Sequence, residues 1–187
     1  MSEGKGIMTT FKTADLVYMA IGACLMAVCS WITIPSAVPF TLQTFAVFLV
    51  LSLLGGKRGT ISIIVYILLG AVGVPVFSGM MGGLGKLLGM TGGYIIGFVI
   101  EGLLYWLGEK LFGKKPVVQI ISLLIGLAFC YAFGTAWFIV VYGRESGPIG
   151  LGAALSMCVV PFILPDLAKM AIAFLLSQKL KKPLHLH

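Results

Sequence analysis

Asp166 and Lys169 are the only charges between Glu145 and Lys179, in an otherwise apolar run that includes Val160-Pro-Phe-Ile-Leu-Pro-Asp166-Leu-Ala-Lys169. Residues three apart share one face of a helix and can reach each other. Asp166 lies 13 positions before Lys179, or about 20 Å along a helix at about 1.5 Å per residue. If the run crosses a bilayer, both charges sit inside the hydrocarbon, where ionisable groups mark a ligand site or a pathway. Pro161 and Pro165 predict a break in the helix just before Asp166. Irregular backbone at membrane depth is tolerated where it lines protein or a cavity. A charge pair beside a break therefore points to binding rather than to a neutralised pair that only locks the bundle. The carboxylate accepts hydrogen bonds and the ammonium donates them. Together they suit a neutral polar group with both senses, such as a cyclic urea or amide.

Other residues could contribute. Glu101 is the second charge in an apolar run, and either pairs with Lys169 or sits at a helix contact. Phe77, Tyr94, Tyr131, Phe133 and Trp137 are aromatic residues that could wall a pocket, although each alone suits a core equally well. Ala20, Ala23 and Ala27 form a small-residue stripe at i, i+3 and i+7, which lets a second helix approach, from a partner or from the same chain. Cys24, Cys29, Cys130 and Cys158 lie in apolar stretches without a C-x-x-C pair and read as small buried side chains, giving no metal site. Gly108-Glu-Lys-Leu-Phe-Gly113-Lys114 has phosphate-loop spacing, but Lys115 stands where Ser or Thr should hold magnesium. Gly83-Leu-Gly85 fails as a dinucleotide fingerprint because Leu88 occupies the third glycine position. No ATP-binding or hydrolytic motif emerges, so the chain is not expected to be an enzyme or to carry a cofactor.

The elements that must hold these residues are set by composition. Of 187 residues 59% are hydrophobic and 10% charged, with a mean hydropathy of +1.10. A soluble domain of this size could not bury so much apolar surface, whereas a lipid bilayer covers it. The reading is a single all-α membrane domain of six transmembrane helices, at about 14–34, 40–54, 60–72, 92–111, 117–141 and 151–178. Gly55 to Gly59, with Lys57 and Arg58, is predicted to be a surface turn. A long, structured glycine-rich loop, re-entrant or lid-like, joins the third and fourth helices. The basic residues behind the net charge of +7 lie singly or in small groups between apolar runs, which argues against nucleic acid and for helix ends at a membrane surface. Lys5, Lys12, Lys57, Arg58, Lys110, Lys114, Lys115, Lys179, Lys181 and Lys182 fall on one side, and Lys86 and Arg144 on the other. The positive-inside rule then places both termini in the cytoplasm. Met1 to Thr13 is too polar for a cleavable signal, and His185 and His187 read as a loose tail.

Four stretches in order resemble the BioY family of biotin-specific substrate-binding (S) components of energy-coupling-factor importers. They are Val38-Pro-Phe-Thr-Leu-Gln-Thr44, Gly73-Val-Pro-Val-Phe77, Gly89-Met-Thr-Gly-Gly-Tyr94 and Pro165-Asp-Leu-Ala-Lys169. The likeness spans nearly the whole chain; Met90 stands where a proline is expected. The resemblance implies a six-helix subunit of the prokaryotic cell membrane that captures biotin from outside, with Asp166 and Lys169 at the ureido ring. Gln43, Tyr94, Phe77, Gly92 and Gly93 belong to the matching motifs, and Lys86 or loop amides are candidates for the biotin carboxylate. It implies that the alanine stripe docks a transmembrane coupling subunit, with two ABC-type ATPase subunits supplying energy.

Three other functions compete. A stand-alone secondary transporter would favour inverted repeats, but residues 14–90 and 92–180 show no convincing similarity. An intramembrane enzyme with Asp166 as base is disfavoured because a neighbouring cation weakens a carboxylate as a base. A scaffold without a ligand is the plainest alternative.

Overall fold

The computed structural model describes residues 12–35 and 38–184. Lys5, His185 and His187 lie outside them. Helix α1 (Thr13–Trp31) leads into a short antiparallel hairpin, β1 (Thr33–Ile34) with β2 (Phe40–Thr41), in which Thr33 faces Thr41 and Ile34 faces Phe40. The ends of the expected first and second helices are thus strand, consistent with the helix-breaking Pro35 and Pro39 between them. Helix α2 (Gln43–Leu54) follows.

The predicted surface turn at Gly55–Gly59 is corrected: α3 (Gly56–Ala71) starts inside it. Gly55 alone reverses the chain, at φ 81°, a conformation that glycine adopts without strain. The carboxylate of Glu109 accepts the Gly56 N–H at 2.6 Å, so a side chain from another helix satisfies the amide end of α3. At the same end Arg58 pairs with Asp15 of α1 at 2.9 Å.

The glycine-rich segment is tied down along its length. Trp31 Nε1 donates to the Pro75 carbonyl at 2.8 Å, and the Ser30 and Tyr66 hydroxyls donate to the Val76 carbonyl at 2.6 and 3.0 Å. Phe77 is fully buried, edge-on to Tyr66 at 5.5 Å. Its ring fills the space that a side chain on Gly70 would need. A single turn, α4 (Leu84–Leu88), precedes α5 (Gly92–Phe112).

Helix α6 (Pro116–Glu145) runs several residues beyond its expected end. It meets α5 along a seam of close approaches: Gly93 on Trp137, Gly97 on Cys130, Gly108 on Ser122, and from α6 Gly126 on Glu101 and Gly134 on Tyr94. Small residues allow this backbone proximity between apolar helices. The last expected span divides into α7 (Leu151–Cys158) and α8 (Val160–Lys181). The break lies at Val159 (φ −124°, ψ −57°), not at Pro161 and Pro165 as the sequence suggested. Pro161 falls in the first turn of α8, where N–H groups have no helical acceptor anyway, and Pro165 is carried inside the helix.

Among the described residues, three helical runs are long and apolar enough to cross a membrane: Thr13–Trp31, Pro116–Glu145 and Leu151–Lys181. Helix α2 is apolar but only 12 residues long.

Candidate binding site

Helix α8 presents Asp166 and Lys169 on one face, toward α2. Both are buried, 1% and 8% exposed, and their charges meet at 2.9 Å. Thr44, at the start of α2, donates to Asp166 Oδ1 at 2.8 Å, and Tyr131 of α6 donates to Oδ2 at 2.6 Å. Lys169 Nζ reaches Asp166 Oδ1, the Thr41 carbonyl at 2.7 Å and Thr44 Oγ1 at 3.1 Å. It also stands 4.1 Å from the centre of the Phe40 ring. Phe40 stacks on Phe162 at 5.8 Å. The β1–β2 hairpin is therefore held onto α8 by the ammonium itself.

The bonding capacities are unequal. An ammonium has three donors, and here all three are engaged. A carboxylate offers roughly four acceptor positions, of which three are engaged. Among the described residues Oδ2 of Asp166 accepts from Tyr131 alone, so an incoming N–H can add to it, whereas an incoming carbonyl must displace Thr41 or Thr44 from Lys169.

These groups line a cavity between α2, α5, α6 and α8, whose wall also includes Gln43, Tyr94, Phe98 and Phe162. Of the residues expected to bind ligand, Asp166, Lys169, Gln43 and Tyr94 come together on it. Gln43 Nε2 is already committed to the Tyr66 hydroxyl at 2.9 Å, and the Tyr94 hydroxyl bonds with Thr135 at 2.9 Å.

Phe77, Lys86, Gly92 and Gly93 do not line the cavity. Phe77 is instead the core anchor of the glycine-rich segment, and its neighbour Ser78 reaches the wall. Lys86 is half-buried on α4, and burial pushes its ammonium below the usual lysine range. Gly92 lies under the Leu87 carbonyl and Gly93 under Trp137, where neither tolerates a side chain. The alanine stripe also divides. Ala23 and Ala27 are 2% and 7% exposed and packed into the chain's own core, and Ala20 is exposed. Those two alanines serve internal packing, because α3 and α2 close over that face of α1.

Sequence reasoning missed Thr41 and Thr44 as site groups. Thr44 closes the Val38–Thr44 motif, but a backbone carbonyl such as that of Thr41 leaves no residue-type signal. Tyr131 stood among the noted aromatics with nothing to separate it from Phe133 and Trp137. Trp137 instead donates to the Gly89 carbonyl at 3.0 Å, fixing the entry to α5.

The fold carries helices long and apolar enough to cross a membrane and a cavity with a buried charge pair on its wall. The chain superposes with a TM-score of 0.79, at 27% identity, on the 2.1 Å crystal structure of the S-component for biotin from an ECF-type ABC transporter, covering 92% of this chain and 95% of that one. Residues 5–185 match the BioY family, and the chain belongs to that family. It is 37% identical over 171 residues to the probable biotin transporter BioY of Pyrococcus horikoshii, covering 91% of this chain and 98% of that protein. It is 39% identical over 170 residues to the biotin transporter BioY of Thermotoga maritima, covering 90% and 96%.

Proposed function

We propose that this chain is a biotin-binding S component that captures the vitamin and passes it to partner subunits. The observation that carries the reading is the buried Asp166–Lys169 pair facing a cavity, where Oδ2 of Asp166 can accept a further N–H. The biotin ureido ring presents N–H donors and a carbonyl side by side, matching carboxylate and ammonium in turn. The largely apolar remainder of the wall suits the thioether ring and aliphatic chain. For the carboxylate, the start of α5 opens on the cavity at Thr91, and a helix N-terminus favours an anion. That keeps the Gly93 amide in the reading, whereas the Gly92 N–H already donates to the Gly89 carbonyl at 3.0 Å, and Lys86 would have to swing inward to join it.

In this reading the chain is a six-span protein of a prokaryotic cell membrane with both termini cytoplasmic, as the distribution of its lysines supports. It needs no cofactor, and a transmembrane coupling subunit with two ABC-type ATPase subunits supplies the energy. The exposed side of α1, which includes Ala20, is the docking face, since Ala23 and Ala27 are spent internally. The test is biotin binding to the purified chain, then to Asp166→Asn and Lys169→Met. Tight wild-type binding lost in both variants supports capture by this pair; a wild type indifferent to biotin overturns it.

A further inference from the structure

Helix α5 is covered on two sides. Its glycines interlock with α6, while Gly102 and the backbone of Trp106 meet α3 at Thr60 and Gly56. The remaining side carries Leu103, Trp106, Leu107 and Lys110, all exposed, which line a shallow groove. Spacings of three and four residues place them on one stripe, about 10 Å long at about 1.5 Å per residue. Two polar groups set this stripe apart from a plain lipid-facing surface. Of the three tryptophans, Trp31 and Trp137 donate their indole N–H to the Pro75 and Gly89 carbonyls. The Trp106 indole, 37% exposed, finds no acceptor among the described residues. Lys110 likewise makes no ion pair among the described residues, because Glu109 beside it is turned to the Gly56 N–H of α3.

The fold gathers further cations where the stripe stops. The close approach of Gly56 to Trp106 brings Lys57, the next residue of α3, to this end of α5. The start of α6 is joined to the end of α8 by Lys181 Nζ, which donates to Gln119 Oε1 at 3.5 Å, so Lys115 and Lys179 lie at the same end of the bundle. The acids described there are already committed, Asp15 to Arg58 and Glu109 to Gly56. An apolar stripe thus ends in a cationic rim, with an indole N–H between them.

We propose that the Leu103–Lys110 stripe of α5 is a binding site for an anionic phospholipid. An acyl chain lies along Leu103 and Leu107, the Trp106 N–H donates to a glycerol ester carbonyl, and the Lys110 ammonium donates to the phosphate. Indoles and snorkelling lysines favour this depth of a bilayer, and clustered cations select anionic headgroups. A zwitterionic lipid would set its own cation against the lysine rim, and a free phosphate would leave the apolar groove uncovered. The site is independent of which solute is bound between α2 and α8.

Tryptophan quenching of the full chain in phosphatidylcholine vesicles tests the site. A minority of the lipid carries brominated acyl chains, on phosphatidylglycerol in one series and on phosphatidylcholine in the other. Subtracting the emission of Trp106→Phe isolates the signal of Trp106. Brominated phosphatidylglycerol is expected to quench it at roughly fivefold lower content, the preference that one lysine supplies near an anionic headgroup. Lys110→Gln should lose that preference, and Lys182→Gln, altered at the same end but outside the stripe, should keep it. Equal quenching by the two lipids leaves only bulk lipid on the stripe and overturns the proposal. So does an equal loss in Lys182→Gln, which assigns the effect to diffuse charge. Quenching by neither lipid means that a second copy of the chain covers Trp106, and overturns it too. If Lys110→Gln does not fold, the two series on the wild type and on Lys182→Gln still decide between a site and bulk lipid.

Discussion

The Tyr131 hydroxyl donates to Oδ2 of Asp166 at 2.6 Å, from α6 to α8. It holds the carboxylate from the side opposite Lys169, whose ammonium meets Oδ1. Tyr131→Phe deletes that one donor and keeps the ring. A hydrogen bond to a charged acceptor is worth about 1.5–3 kcal/mol, and part of that loss should appear in ligand affinity. Biotin binding is expected to weaken by about tenfold, equivalent to about 1.4 kcal/mol, as measured by equilibrium titration.

Thr44 serves both members of the pair, donating to Asp166 and accepting from Lys169. Thr44→Val preserves shape but leaves each charge one partner short in a buried setting, which is expensive. Thr44→Ser keeps the hydroxyl. Valine is expected to abolish measurable biotin binding and lower the unfolding temperature, with serine close to wild type in both.

Ala23 and Ala20 lie on the same helix but face different surroundings, core and exterior. A tryptophan at Ala23 must force α1 away from its neighbours, and overpacking a core costs about 1–3 kcal/mol or more. Ala23→Trp is therefore expected to lose thermal stability and biotin binding together. Ala20→Trp should bind biotin normally and lose ATP-dependent uptake in vesicles that also contain the coupling and ATPase subunits.

Gly70 sits beneath the Phe77 ring, which occupies the place an added Cβ would take. Alanine gains about 1 kcal/mol over glycine in a helix, but the clash should outweigh it. Gly70→Ala is expected to destabilise by about 1–3 kcal/mol. Adding Phe77→Leu should recover part of that loss in thermal unfolding, since it removes the obstructing ring edge.

The pair at the heart of the site was legible because charges are expensive in apolar runs, and Asp166 and Lys169 had no neighbours of their kind. The positions of the prolines were legible too, but not their effect. Pro161 settles into a first turn and Pro165 is tolerated inside α8, so the break appears at Val159, which carries no breaker signal. The alanine stripe was visible as a stripe, yet which side closes over it is decided by α2 and α3, and a single helix holds no record of that. Phe77 shows the same limit. Its motif marked the residue, while its burial under Gly70 depends on two segments folding back together.

The glycine seam between α5 and α6 bears on how the cavity could ever change shape. With backbones interlocked at Gly93, Gly97, Gly108, Gly126 and Gly134, those two helices have little room to slide and behave as a single plate carrying Tyr94, Tyr131 and Glu101. Breathing of the site is thus left to the opposite wall. That wall is the hairpin held by the Lys169 ammonium at Thr41 and the α7–α8 joint at Val159. The hinge, on this view, lies on the side that carries Asp166 and Lys169, and the plate behind them stays still.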